Sequence, residues 1–219
     1  MERAQHGFHL LQPGQGGRDL VGHDHLVKWT RAVHHLAELA ERCSDLPTSF
    51  YKFQVVELWV FGDLLDVPRD VETIEVALVT DLPVDEVPWL SEPVGAEHWA
   101  NATRLSRNPF AAHWRSKDAP VWNHRIERPT LIWSAAGGID EEALVAVSDG
   151  TAELVRQAAP SPEELRRRIA DELAVSLAAL RAANQAYTDR RWSPGKLTPH
   201  SDALWRATTG YLDLLDASG

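Results

Sequence analysis

Two apolar runs dense in β-branched and aromatic residues, FQVVELWVF at 53–61 and TIEVALVT at 73–80, constrain this chain most. Both have the length and composition of strands and both stop at breakers, Gly62 in one case and Asp81 with Pro83 in the other. A strand pair alone is marginal in water, so the runs demand a larger sheet and something to cover it. Before them Trp29, Val33, Leu36 and Ala40 mark one face of a helix that Pro47 should end. Behind them PTLIWS at 129–134 predicts a third strand and residues 140–158 a helix. The stretch between, rich in proline, is expected to form loops and short helices.

The last third is helical. Ser161, Pro162 and Glu164 form a start signal, with a serine cap, proline in the first turn and a glutamate that reaches back to the cap. Leu165, Ile169, Leu173, Leu177 and Leu180 continue a single apolar stripe towards Arg190. Ser193, Pro194 and Gly195 break it, and Thr198 with Pro199 opens a second helix carrying Leu204, Thr208, Tyr211 and Leu215 on one face. Two helices joined so tightly should pack antiparallel. The expected fold is therefore α+β: a flexible extension at 1–25, a small mixed sheet with flanking helices at 26–158, and a helical region at 159–219.

Composition narrows the function classes. A 219-residue chain that is 44% hydrophobic can build a core, and none of its apolar runs approaches the roughly 20 residues of a membrane span. The first residues have no compact apolar core of an export signal. With a single cysteine, Cys43, set in the first helix, a cytoplasmic protein with an inert thiol is expected. Arginine outnumbers lysine 18 to 4, which points to a GC-rich bacterial genome. A net charge of -10 disfavours general DNA binding. The exception is the stretch 98–128, where Arg104, Arg107, Arg115, Lys117, Arg125 and Arg128 face only Asp118 and Glu127. That stretch can meet an anion.

Residues 56–80, VELWVFGDLLDVPRDVETIEVALVT, resemble the metal-binding hairpin of the nucleotidyltransferase superfamily. There a strand ends in a hydrophobic residue, glycine and a small residue, and a spacer leads to two acids at i and i+2 that open the next strand. Phe61, Gly62 and Asp63 stand for the first part, nine residues intervene, and Thr73, Ile74 and Glu75 stand for the second. Glycine allows close approach to phosphates, and two acids on one face of a strand share divalent cations. The resemblance implies a nucleotide or other anionic ligand near Gly62, Asp63, Thr73 and Glu75. In this chain Thr73 replaces the first acid, and a hydroxyl does not bridge two metals. Aligning Asp70 and Glu72 with the acid pair instead shortens the spacer and puts those acids on the opposite face from Glu75.

From Trp29 to Asp216 the chain also resembles an uncharacterised bacterial family, which implies one intact unit and no activity. Elsewhere, histidine, tryptophan, asparagine and arginine interleave over 98–125, including Asn123, His124 and Arg125, as in sites that stack a ring and hold its phosphate. The bland alternative is an irregular segment pinned by tryptophan packing. His98, His113 and His124 are spaced unlike a compact zinc site. Lys196, in the turn between the last helices, can face a cleft. No phosphate-binding loop, dinucleotide fingerprint or nucleophile elbow is present. Three readings stay open: a nucleotidyltransferase-like binding protein without transfer chemistry, an active magnesium-dependent transferase using Glu75 and Asp63, and a protein-interaction module with a tryptophan-rich surface.

Overall fold

The computed structural model describes residues 26–46 and 51–219. It has an α+β fold built on a mixed sheet of order β3-β2-β1-β4-β5. The strands are β1 (Val55–Phe61), β2 (Ile74–Thr80), β3 (Phe110–Ser116), β4 (Thr130–Ser134) and β5 (Gly138–Ile139). The helices are α1 (Trp29–Asp45), α2 (Ala96–Ala102), α3 (Glu141–Ser148), α4 (Pro162–Arg190) and α5 (Thr198–Ala217). β1 pairs antiparallel with β2 and β4, whereas β3 runs parallel to β2 and so requires the crossover that contains α2.

Residues 110–116 correct the expectation of loops over 83–120. FAAHWRS forms a seven-residue edge strand in unbroken register with β2, from Ile74 opposite Phe110 to Thr80 opposite Ser116. Its polar residues hid it. The helix expected over 140–158 is also shorter, ending at Ser148 because Gly150 turns the chain with φ +70°. Asp140 caps its start by accepting from the Ala143 N–H at 2.9 Å. α1 ends at Asp45 and Leu46 caps it, while Pro47 and the extension at 1–25 lie outside the described residues.

Each face of the sheet has its own cover. On one side Leu58, Val60, Ile74, Val76, Leu78 and Ile132 pack against Leu36, Leu39 and Ala40 of α1, with Ala143 and Val147 of α3. Phe53, Trp99 and Trp114 meet edge to face at one end of this layer. Cys43 is buried there, and burial pushes its thiol up to about 12, so it is an apolar filler.

The other face carries Trp59, Phe61, Ala77 and Val79, and it is closed by Trp89, Val121, Ile126, Leu214 and the half-buried Leu173. The C-terminal helices therefore roof the sheet. α4 starts at the predicted capping box, where Ser161 Oγ accepts from the Glu164 N–H and the Glu164 carboxylate accepts from the Ser161 N–H. α5 comes close because position 210 within it is glycine: a Cβ there would lie 2.2 Å from the Trp89 carbonyl oxygen. Among the described residues no helix is long and apolar enough to cross a membrane.

Candidate functional site

Strand register decides which polar side chains enter the roofed face. Phe61 pairs with Glu75 and Trp59 with Ala77, while the parallel pair sets Ala111 beside Glu75, His113 beside Ala77 and Arg115 beside Val79. With a period of two, Glu75, His113 and Arg115 fall on the side of α4 and α5. Burying an arginine there demands a partner, and α4 supplies it.

Glu172 accepts hydrogen bonds from Arg115 Nη2 and from Asn123 Nδ2 at 3.0 Å, and forms an ion pair with Arg168 Nη2 at 2.8 Å. All are interior: the side chains of Arg115, Glu172 and Arg168 are 2%, 7% and 12% exposed. Both guanidiniums also donate to the Pro120 carbonyl, at 3.4 and 3.0 Å. Asn123 holds the loop in shape, because its Oδ1 accepts from the N–H groups of Arg125 and Ile126 at 2.9 and 3.0 Å. Two cations thus share one buried carboxylate. Burial, offset by Glu172 and aided by the Arg115 charge, lowers the Arg168 pKa from its ordinary value. The Nε–H of each arginine is buried without an acceptor.

A second carboxylate clamps α5. Asp213 accepts from Trp89 Nε1 at 2.8 Å, His124 Nε2 at 2.7 Å and Arg125 Nε at 3.1 Å. Burial works against this charge, but hydrogen bonds from Arg125, Trp89 and His124 outweigh it and hold the carboxyl at about 2. Being ionised, Asp213 can only accept, so the His124 proton sits on Nε2, and its buried Nδ1 has no partner. Trp89 stacks on His113 with centroids 5.1 Å apart and meets the edge of His124 at 5.6 Å. Burial, then the Arg115 charge, lowers His113 to about 4.

The hairpin end has different chemistry. Gly62 has φ +72°, and a Cβ on it would meet Glu75 Oε2 at 1.9 Å, so glycine admits the carboxylate beside the backbone. Burial and then the Asp63 charge push Glu75 above its ordinary value, with Arg125 opposing. Asp63 is solvated and paired with Arg69 at 2.9 Å. Thr73 lies exposed just before β2. Among the described residues no group of three or more histidine, cysteine or acidic side chains could hold a metal ion. This donor set does not fit the magnesium that the hairpin resemblance implies: Thr73 stands where one of the two bridging acids is needed, and Asp63 is paired with Arg69.

A cavity of about 210 Å³ opens beside the Glu172 cluster. Its polar lining is Arg115, Ser116, Arg168, Asp171 and Glu172, two cations with two acids, and Val84, Val87, Trp89 and Val175 line it as well. The other sequence candidates lie apart from it. Arg104, with φ +59°, and Arg107 are exposed around a short turn after α2, where Arg107 joins Lys28 and Arg31 along a broad groove. Lys196 lines a shallow recess with Arg190 and His200 at the α4–α5 turn. Asn123, His124 and Arg125 do converge, on the chain's own Glu172 and Asp213. Sequence reasoning missed Trp89, Arg168, Glu172 and Asp213. A signal existed for Glu172, which stands in phase with the buried stripe at Ile169 and Ser176.

Residues 27–219 match the family model described as Domain of unknown function (DUF7711). The chain belongs to that family. Nothing among curated proteins or solved structures matches it. The family match carries no nucleotidyltransferase assignment, so that likeness rests on residues 56–80 alone.

Proposed function

We propose that the protein is a non-catalytic binding protein for a small anion, taken up between loop 84–89, β3 and α4. The observation that carries this reading is a pair of guanidiniums, the buried Arg115 and the half-buried Arg168, that line one cavity, share one carboxylate and each keep an Nε–H without an acceptor. A carboxylate or phosphate oxygen in the cavity would give the two guanidiniums a further charge-assisted acceptor beside the carboxylate they share. At about 210 Å³ the cavity is smaller than the roughly 300–1,000 Å³ of drug-sized sites, which favours an anionic head group over a whole nucleoside triphosphate.

The hairpin supports the non-catalytic half of the reading. Nucleotidyl transfer needs carboxylates to gather cations around the triphosphate, whereas Asp63 pairs with Arg69 and Thr73 is neutral. The α+β core would then be a nucleotidyltransferase-like scaffold whose C-terminal roof has become the binding element. Thermal-shift measurements with phosphate, acetate and nucleoside triphosphates, each with and without magnesium, test this. Stabilisation by small anions without metal is expected. Metal-dependent pyrophosphate release that Glu75→Ala abolishes would replace the proposal with the active-transferase reading.

A further inference from the structure

A second cavity, of about 150 Å³, lies further along α4 and shares the Pro88 and Trp89 wall with the first. It is lined by four alanines of the facing helices, Ala179, Ala183, Ala203 and Ala207, and by Ser91 and Ser176. Both serine hydroxyls are buried with no hydrogen-bond partner, and Ser176 is only 2% exposed. Buried orphan hydroxyls are costly unless something meets them. Glu92 and Arg206, paired at 3.1 Å, stand at the same cavity.

We infer that the two cavities are two subsites of one groove, and that the ligand is an elongated anion with a neutral hydrogen-bonding group at its far end. This inference rests on the small-anion reading above and adds the body and tail of the ligand. Helical rise sets the length. Ser176 is one turn beyond Glu172 and two beyond Arg168, so the head and tail positions are about 6–12 Å apart. An extended chain covers about 1.2 Å per bond, so roughly five to ten bonds connect them. The body crosses Pro88 and the edge of Trp89, whose ring Asp213 fixes. Neither cavity alone reaches the roughly 300 Å³ of a ligand-sized site, and the two together do. The alanines leave room for methylene groups, while Ser91 and Ser176 supply hydroxyls able to donate or accept.

Calorimetric titration of the full chain with acetate, hexanoate and 6-hydroxyhexanoate tests the assignment. 6-Hydroxyhexanoate should bind at least tenfold more tightly than acetate and about fivefold more tightly than hexanoate. Ser176→Ala should abolish the advantage over hexanoate. Ala179→Leu, which fills the second cavity, should abolish the advantage of both longer acids over acetate. If acetate binds but neither longer acid gains, the two-subsite groove is wrong and the small-anion reading stands. If none of the three binds, both fall. A gain that persists in Ala179→Leu places the tail elsewhere and overturns the inference.

Discussion

Replacing Glu172 with alanine removes one carboxylate and strands two guanidiniums in the interior. Arg115 loses a charge-assisted hydrogen bond, Arg168 loses an ion-pair partner and Asn123 loses its acceptor. Breaking a buried ion pair by deleting one partner costs about 3–5 kcal/mol. Asp171, which also lines the cavity, compensates Arg168 in part, so the lower end, about 3 kcal/mol, is expected. For a chain of this size that is a fall in Tm of about 6–12 °C. Because the vacated space keeps two positive charges, phosphate should stabilise Glu172→Ala more than the parent. Replacing Arg115, Arg168 and Glu172 together with apolar residues of similar volume should recover most of the loss. Circular dichroism melts with and without phosphate measure all three. A Tm drop below about 2 °C in Glu172→Ala would refute the buried-cluster argument, since a solvated pair is worth no more than about 1 kcal/mol.

Gly210→Ala should destabilise by about 1–3 kcal/mol in chemical denaturation, because its Cβ meets a backbone carbonyl that cannot rotate away. Stability should fall as pH drops from about 6.5 to about 4. In that window the unfolded chain protonates His113 and the folded chain does not, a difference of at most about 3 kcal/mol that His113→Phe should remove from a pH series of denaturant melts. Glu75→Gln should leave stability unchanged in acid and raise it slightly at neutral pH, because the folded state prefers the protonated carboxyl and loses that preference as pH rises.

The apolar architecture was legible because local pattern and burial agree. β1, β2 and β4 are rich in β-branched and aromatic residues, α1 carries a clean stripe, and the α4 capping box is readable from three residues, whereas of the leucine-rich α4 stripe only Ile169 is buried and Glu172 and Ser176 share its buried face. β3 was not legible because alternate residues of FAAHWRS are polar and face partners from a distant loop and helix. His113 stacks on Trp89, and Arg115 pairs with a carboxylate 57 positions later. The basic segment was recognisable as an anion-binding stretch, but only folding reveals that Glu172 and Asp213 are the anions it already holds. Gly62 and Glu75 read as a strand end and a strand acid, and their contact required the φ +72° that the sequence permits without dictating.

The central claim is that the Arg115–Arg168 cavity takes a small anion without metal. Isothermal titration of phosphate and of acetate into the full chain, in the presence of EDTA, measures it directly, with Arg168→Ala as the paired variant checked for folding by circular dichroism. Saturable binding that weakens at least tenfold in the variant is the expected result. No binding of either anion, or binding that the variant leaves unchanged, would contradict the claim.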